Sequence, residues 1–201
     1  MQPLVHPKGE PCESPSWGPE VRDIGRIVPV FVPASLVETG LETGTWTGPF
    51  SILPAGGVAI AWAVLVDGGI RFVLHELQRE WEAGDIDWRT RSIQNLRALT
   101  SEPLGAGALF RDNGEIWLIS LMDPDGLGTS RLLLTAEVAR VFPNGYRVAL
   151  PERNRAFAFS RELDAEEAAT VENLIQRSYA TSEWRLSPKI FEPDDLVITA
   201  V

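Results

Sequence analysis

The sequence predicts an α+β fold: an antiparallel sheet built from successive hairpins with intervening helices, hairpin–helix three times over. Three observations carry this. Asp67-Gly68-Gly69 and Asn113-Gly114 each stand between apolar runs of strand length, and such turns supply the positive φ angles of a tight hairpin. A third pair of runs, Tyr146–Leu150 and Arg155–Ser160, flanks Pro151–Asn154. Apolar residues at helical spacing follow each hairpin. Hairpins pair antiparallel, and the helices between them must cover a sheet face.

Each element has its own signal. Residues 1–22 carry Pro3, Pro7, Pro11, Pro15 and Pro19, which forbid a continuous helix and predict a flexible, extended arm. Residues 23–201 then read as a single α+β domain. Ile27–Val32 is a short strand, and Pro29 and Pro33 place it at a sheet edge. Residues 38–57, rich in Gly, Thr and Pro, read as an irregular connection with a short strand at Phe50–Leu53. Val58–Val66 alternates a large row with a row of Ala59, Ala61 and Ala63, so another element can approach closely on the small face. Ile70–Leu77 is the returning strand. Gln78–Glu82 begins a helix that Gly84 breaks. Asp87 caps a helix from Trp88 to about Thr100, with Ile93, Leu96 and Leu99 on its inner side. Pro103 and Gly105 close that unit.

The second hairpin pairs Ala108–Arg111 with Ile116–Leu121. After the loop Asp123–Gly128, a helix lies within Thr129–Phe142, capped by Ser130 or Thr135 and ended by Pro143-Asn144-Gly145. Asp164 caps a helix to about Tyr179, and Glu167 three residues on completes a capping box. Its stripe is Val171, Leu174, Ile175 and Tyr179. Leu196–Val201 reads as a final strand.

Composition narrows the function. The chain has 201 residues, 44% hydrophobic and 23% charged, enough for a sizeable soluble core. Its net charge of −10 repels nucleic-acid backbones and anionic membranes. The expected partner is therefore another protein, a basic one by charge. The lone Cys12 excludes an intrachain disulfide. No signal peptide or membrane-length apolar run is visible, so the cytoplasm is the expected location. Sixteen of the 18 basic residues are Arg, a bias common in GC-rich bacterial genomes.

The motifs give no named chemistry. Asp123 and Asp125 alternate as in a cation loop, but the further ligands of an EF-hand are absent, so they read as turn formers. His75 reads as a solvent-facing strand residue without a metal-binding companion, and His6 and Cys12 fall in the arm. Asn95, between apolar neighbours on a helix, implies a buried structural hydrogen bond. No nucleophile elbow, P-loop or dinucleotide fingerprint occurs. No catalytic residue, metal ligand or cofactor is therefore assigned. The one concentration worth testing is Ser130, Arg131, Arg153, Asn154 and Arg155. If the helix start faced the third hairpin, a hydroxyl and guanidinium forks would converge on an anion or a partner. The competing reading has Ser130 as a cap and the arginines paired with nearby acids such as Glu152.

Residues 65–193 resemble the YtpQ-like bacterial family of unknown function. The resemblance rests on Asn95-Leu96, on Ser130-Arg131-Leu132-Leu133-Leu134 after an Asp/Gly loop, and on Val148-Ala149-Leu150-Pro151 followed by Arg153-Asn154. Leu186-Ser187-Pro188-Lys189 and Phe191 form a closing block. Asp125 stands five residues before Ser130, and Asn154 stands where relatives often have Asp. The resemblance implies a fold and no activity. The leading expectation is a non-enzymatic, acidic protein-binding module of toxin-neutralising, immunity or chaperone-like type. The alternative is an enzyme or small-anion sensor using the Ser/Arg pocket.

Overall fold

A computed structural model describes residues 22–100, 107–123 and 125–197. Residues 1–21 of the proline arm, with His6 and Cys12, lie outside these residues, as do Pro103, Gly105 and residues 198–201 of the tail Leu196–Val201. The fold is α+β with antiparallel sheets, built from nine strands and five α-helices among the described residues. Instead of one large sheet, the hairpins divide between two.

The first sheet centres on β3 (Val58–Val66). Along one edge it pairs with β1 (Ile27–Pro33) over its first seven residues. Along the other it pairs with β2 (Phe50–Ile52) and then β4 (Gly69–Phe72), which lie end to end. β1 is thus an edge strand, where a proline without a donor is tolerated. It is nonetheless buried from Ile27 to Val32, because α3 (Trp88–Leu99) and the 3-10 segment Thr129–Leu133 cover it. Asn95 on α3 donates through Nδ2 to the carbonyls of Ile24 and Ile27, at 2.8 and 2.9 Å. That is the structural role expected of it.

Two helices depart from the sequence reading. α1 (Ala34–Glu42) occupies part of the region read as irregular. α2 (His75–Ala83) begins where a strand was expected to continue. His75 is therefore the first helical residue, not a strand residue; it is exposed, with Nδ1 3.0 Å from Gln78 Oε1. The inner face of α3 is Trp88, Ser92, Asn95 and Leu96; Leu99 is exposed. The shift follows Trp62 on β3, whose indole donates to Ser92 Oγ at 3.1 Å and meets Trp88 edge-on at 5.0 Å.

The second sheet runs β5–β6–β8–β7–β9, from β5 (Ala108–Phe110), β6 (Ile116–Leu121), β7 (Tyr146–Glu152), β8 (Arg155–Ser160) and β9 (Ile190–Phe191). Ile119, Leu121, Val148, Leu150, Ala156 and Ala158 face the main core, which continues into the first sheet. Phe157, Phe159 and Ala149 face α5 (Ala165–Thr181), packing on Val171 and Ile175. Two bulges set local direction. One leaves Trp117 as an extra residue on β6 and turns it, with Leu118, toward α5. The other accommodates Pro151 within β7, so Pro151 extends the strand and the turn narrows to Arg153-Asn154. α5 carries the expected box: Asp164 accepts from Glu166 and Glu167, and the Glu167 carboxylate accepts from the Asp164 N–H. No helix among the described residues is long and apolar enough to cross a membrane.

Candidate functional site

The helix expected within Thr129–Phe142 occupies only the second part of that stretch. Thr129–Leu133 is a 3-10 turn, and α4 (Thr135–Val141) follows. Neither Ser130 nor Thr135 caps a helix, because Gly128 and Leu134 hold the cap positions without side-chain bonds. The 3-10 segment lies between the two sheets, touching β1 and α3 on one side and β7 and β8 on the other. All its side chains are buried. Buried loops must satisfy their own polar groups, and this one does so through its own backbone and through neighbouring elements. Arg131 N–H donates to the carbonyls of Leu127 and Gly128, and Thr129 Oγ1 donates to the Glu152 carbonyl at 2.9 Å.

Arg131 is spent inside this structure. Nη1 is 3.0 Å from Asp123 Oδ2 and from Asp125 Oδ1, Nη2 is 2.7 Å from Asp125 Oδ2, and Nη2 also reaches the Leu99 carbonyl. Burial pushes the guanidinium pKa down, but the hydrogen bond and charge of Asp125 outweigh it and the net direction is up. Burial likewise pushes the Asp125 carboxyl up, and Arg131 with the Leu127 N–H brings it below its ordinary value. The alternating aspartates are thus a clasp for Arg131. Gly128 is required here, since an added Cβ would come within 2.7 Å of the Leu121 carbonyl oxygen and 3.0 Å of that of Asn154.

The five candidate residues therefore do not form one pocket. Ser130 is 3% exposed, and Arg131 faces the aspartates. Arg155 lies 3.6 Å from Glu152, donates to Ser178 Oγ and contacts Met122 Sδ. That leaves Arg153 and Asn154 at the tip of the β7–β8 hairpin. Asn154 is exposed and, with Met122, Asp123, Gly126, Glu152 and Arg155, lines a hollow of about 450 Å³.

Arg153 differs from its neighbours. Its guanidinium stands 5.9 Å from the Trp184 ring centroid. Among the described residues no carboxylate pairs with it, and burial alone pushes its pKa below the ordinary value. The strip Trp184–Ser187 is hydrogen-bonded beside it: Arg153 N–H donates to the Trp184 carbonyl, and Leu186 and Ser187 donate to the Pro151 and Leu150 carbonyls. This strip and β9 seal the edge of β7. Trp184 and Met122 are each 59% exposed. Sequence reasoning missed both, since neither lies in a periodic pattern; they flank the arginines only once strand ends and the returning strip meet.

Compared with protein-family models, with curated proteins and with solved structures, the chain matches none.

Proposed function

We propose that the chain is a non-enzymatic protein-binding module of the bacterial cytoplasm, in a toxin-neutralising, immunity or chaperone-like role. Its contact face is the β7–β8 tip with Met122, Arg153, Asn154, Arg155 and Trp184. One observation carries this reading: a half-buried arginine, Arg153, without an acid partner among the described residues, held beside an exposed tryptophan. Trp and Arg dominate the binding energy of protein interfaces, and Met is enriched there. An unpaired, partly desolvated guanidinium gains most when a partner supplies the missing acceptor. The net charge of −10 favours a basic partner overall, with a carboxylate or carbonyl of that partner meeting Arg153. The YtpQ-like resemblance is compatible with this reading and adds no chemistry to it.

The test is recovery from the native host with tagged wild type, Trp184→Ala and Arg153→Ala. A stoichiometric protein partner should accompany the wild type and be lost from both variants, while thermal stability stays nearly constant. Absence of any stoichiometric partner counts against the reading. Arg153 alone favours the small-anion alternative. If titrated phosphate or sulfate stabilises the wild type but not Arg153→Ala, the anion-sensor reading replaces the module.

A further inference from the structure

The second sheet has another end, and its chemistry is opposite. The register runs from Leu121↔Ala156 beside the Met122–Asn154 tip to Leu118↔Phe159, so Phe110, Trp117 and Asp164 lie at the far end. There the outermost strand is β5, paired only with β6 among the described residues. Gly107 accepts from the Ser120 N–H, and Arg111 N–H donates to the Glu115 carbonyl. Both therefore point toward β6. By the alternation of an antiparallel ladder, Ala108 and Phe110 direct their N–H and C=O groups outward. An unpaired edge of this kind is a template for an added strand.

The side chains add an apolar seat. Phe110 is 61% and Leu109 42% exposed. Phe110, Arg111 and Trp117 line a hollow of about 540 Å³ with Asp112, Asp164 and Glu166 on its rim. Arg111 supplies no free positive charge. Its guanidinium grips Glu167 with both ends, at 2.7 and 2.8 Å, lies 3.0 Å from Glu115, and donates to the Glu162 carbonyl.

We propose that β5 is a docking edge for an extended, basic segment of a partner protein. The segment adds as a strand outside Ala108 and Phe110 and seats a Lys or Arg side chain over Phe110, within reach of Asp112 and Glu166. Charge complementarity selects this occupant. A second copy of the chain would bring two proteins of net charge −10 together at their acidic rims. The edge stands independently of the β7–β8 tip, and failure at one leaves the other untouched.

The test uses the full chain and a short peptide alternating Lys and Val, with the matching Glu/Val peptide as control, followed by calorimetry and amide hydrogen exchange. The basic peptide should bind and slow exchange at Ala108 and Phe110; the acidic one should not bind. Ala108→Pro removes an outward donor, and Phe110→Ser removes the seat; each should weaken binding by roughly ten-fold or more. Asp112→Lys with Glu166→Lys should abolish it and leave the Trp184→Ala phenotype unchanged. No binding of the basic peptide overturns the proposal. So does binding indifferent to Ala108→Pro and Phe110→Ser, which is charge attraction without a seat. Binding seen only after deletion of residues 1–21 overturns it too, since the chain's own arm would then be the occupant.

Discussion

At the scale of single residues, the arginines divide by what surrounds them. Arg131 is 5% exposed and carries two aspartates plus a carbonyl. Arg131→Met leaves Asp123 and Asp125 facing each other without a cation, and should cost about 3 kcal/mol in urea unfolding. Arg131→Lys should recover only part, because a point charge cannot fork across two carboxylates. Arg153→Ala should behave oppositely. It removes a half-buried cation with no acid partner among the described residues, so the folded protein should lose less than about 0.5 kcal/mol, or gain. A large loss there would assign Arg153 to the scaffold and remove the main support for the contact face. Both residues were visible in the sequence as a concentration of positive charge. Their separate fates were not, because Arg131 is decided by a loop six residues upstream folding back, and Arg153 by a strip that begins 31 residues downstream at Trp184.

At the scale of elements, legibility followed the caps. α3 and α5 were placed correctly because Asp87 and Asp164 bond the first turns with their side chains, a signal written in adjacent residues. α1, α2 and α4 have Pro33, Leu74 and Leu134 at that position and no side-chain cap; tertiary packing specifies them instead. Gly40 shows this within α1. A Cβ there would come within 2.6 Å of Trp46 Cβ, so a residue that reads as a helix breaker is the one the packing requires. Hairpins were legible because Gly68 and Gly114 take φ of 84°, while the Trp117 and Pro151 bulges depend on partner strands. The α5 box predicts a pH effect. Hydrogen bonds from Arg111, and then the Asp164 N–H, hold the Glu167 carboxyl below its ordinary 4.5 despite burial. A depressed folded value means stability is present above the unfolded value and is lost as pH falls through the folded one. The wild type should therefore lose urea resistance as pH drops below 4.5. Glu167→Gln should be weaker at neutral pH and converge on the wild type in acid. Asp164→Ala should cost about 1 kcal/mol through the lost cap.

At the scale of the whole molecule, the question is what makes two sheets behave as one body. One core cluster spans both sheets, and the 3-10 segment Thr129–Leu133 within it touches β1 of the first sheet and β7 and β8 of the second. Leu132 in that segment is 0% exposed. It stands among side chains contributed by β1, β3, β6, β7 and β8 to one cluster. If that segment is the joint, cooperativity depends on it more than on any helix. Trp62 on the first sheet and Trp117 on the second are separate reporters of the two halves. With fluorotryptophan labels, their urea transitions should coincide in the wild type, as for a single cooperative unit. Leu132→Ala should lower stability by about 2–5 kcal/mol, the cost of truncating a core leucine. Because the joint is shared, both reporters should move to lower urea together. Separation of the Trp62 and Trp117 transitions in the wild type would show two independently stable sheets. Separation only in Leu132→Ala would locate the coupling in this segment, whose buried Ser130-Arg131-Leu132-Leu133 run then acts as the fastener of the fold and not as a binding site.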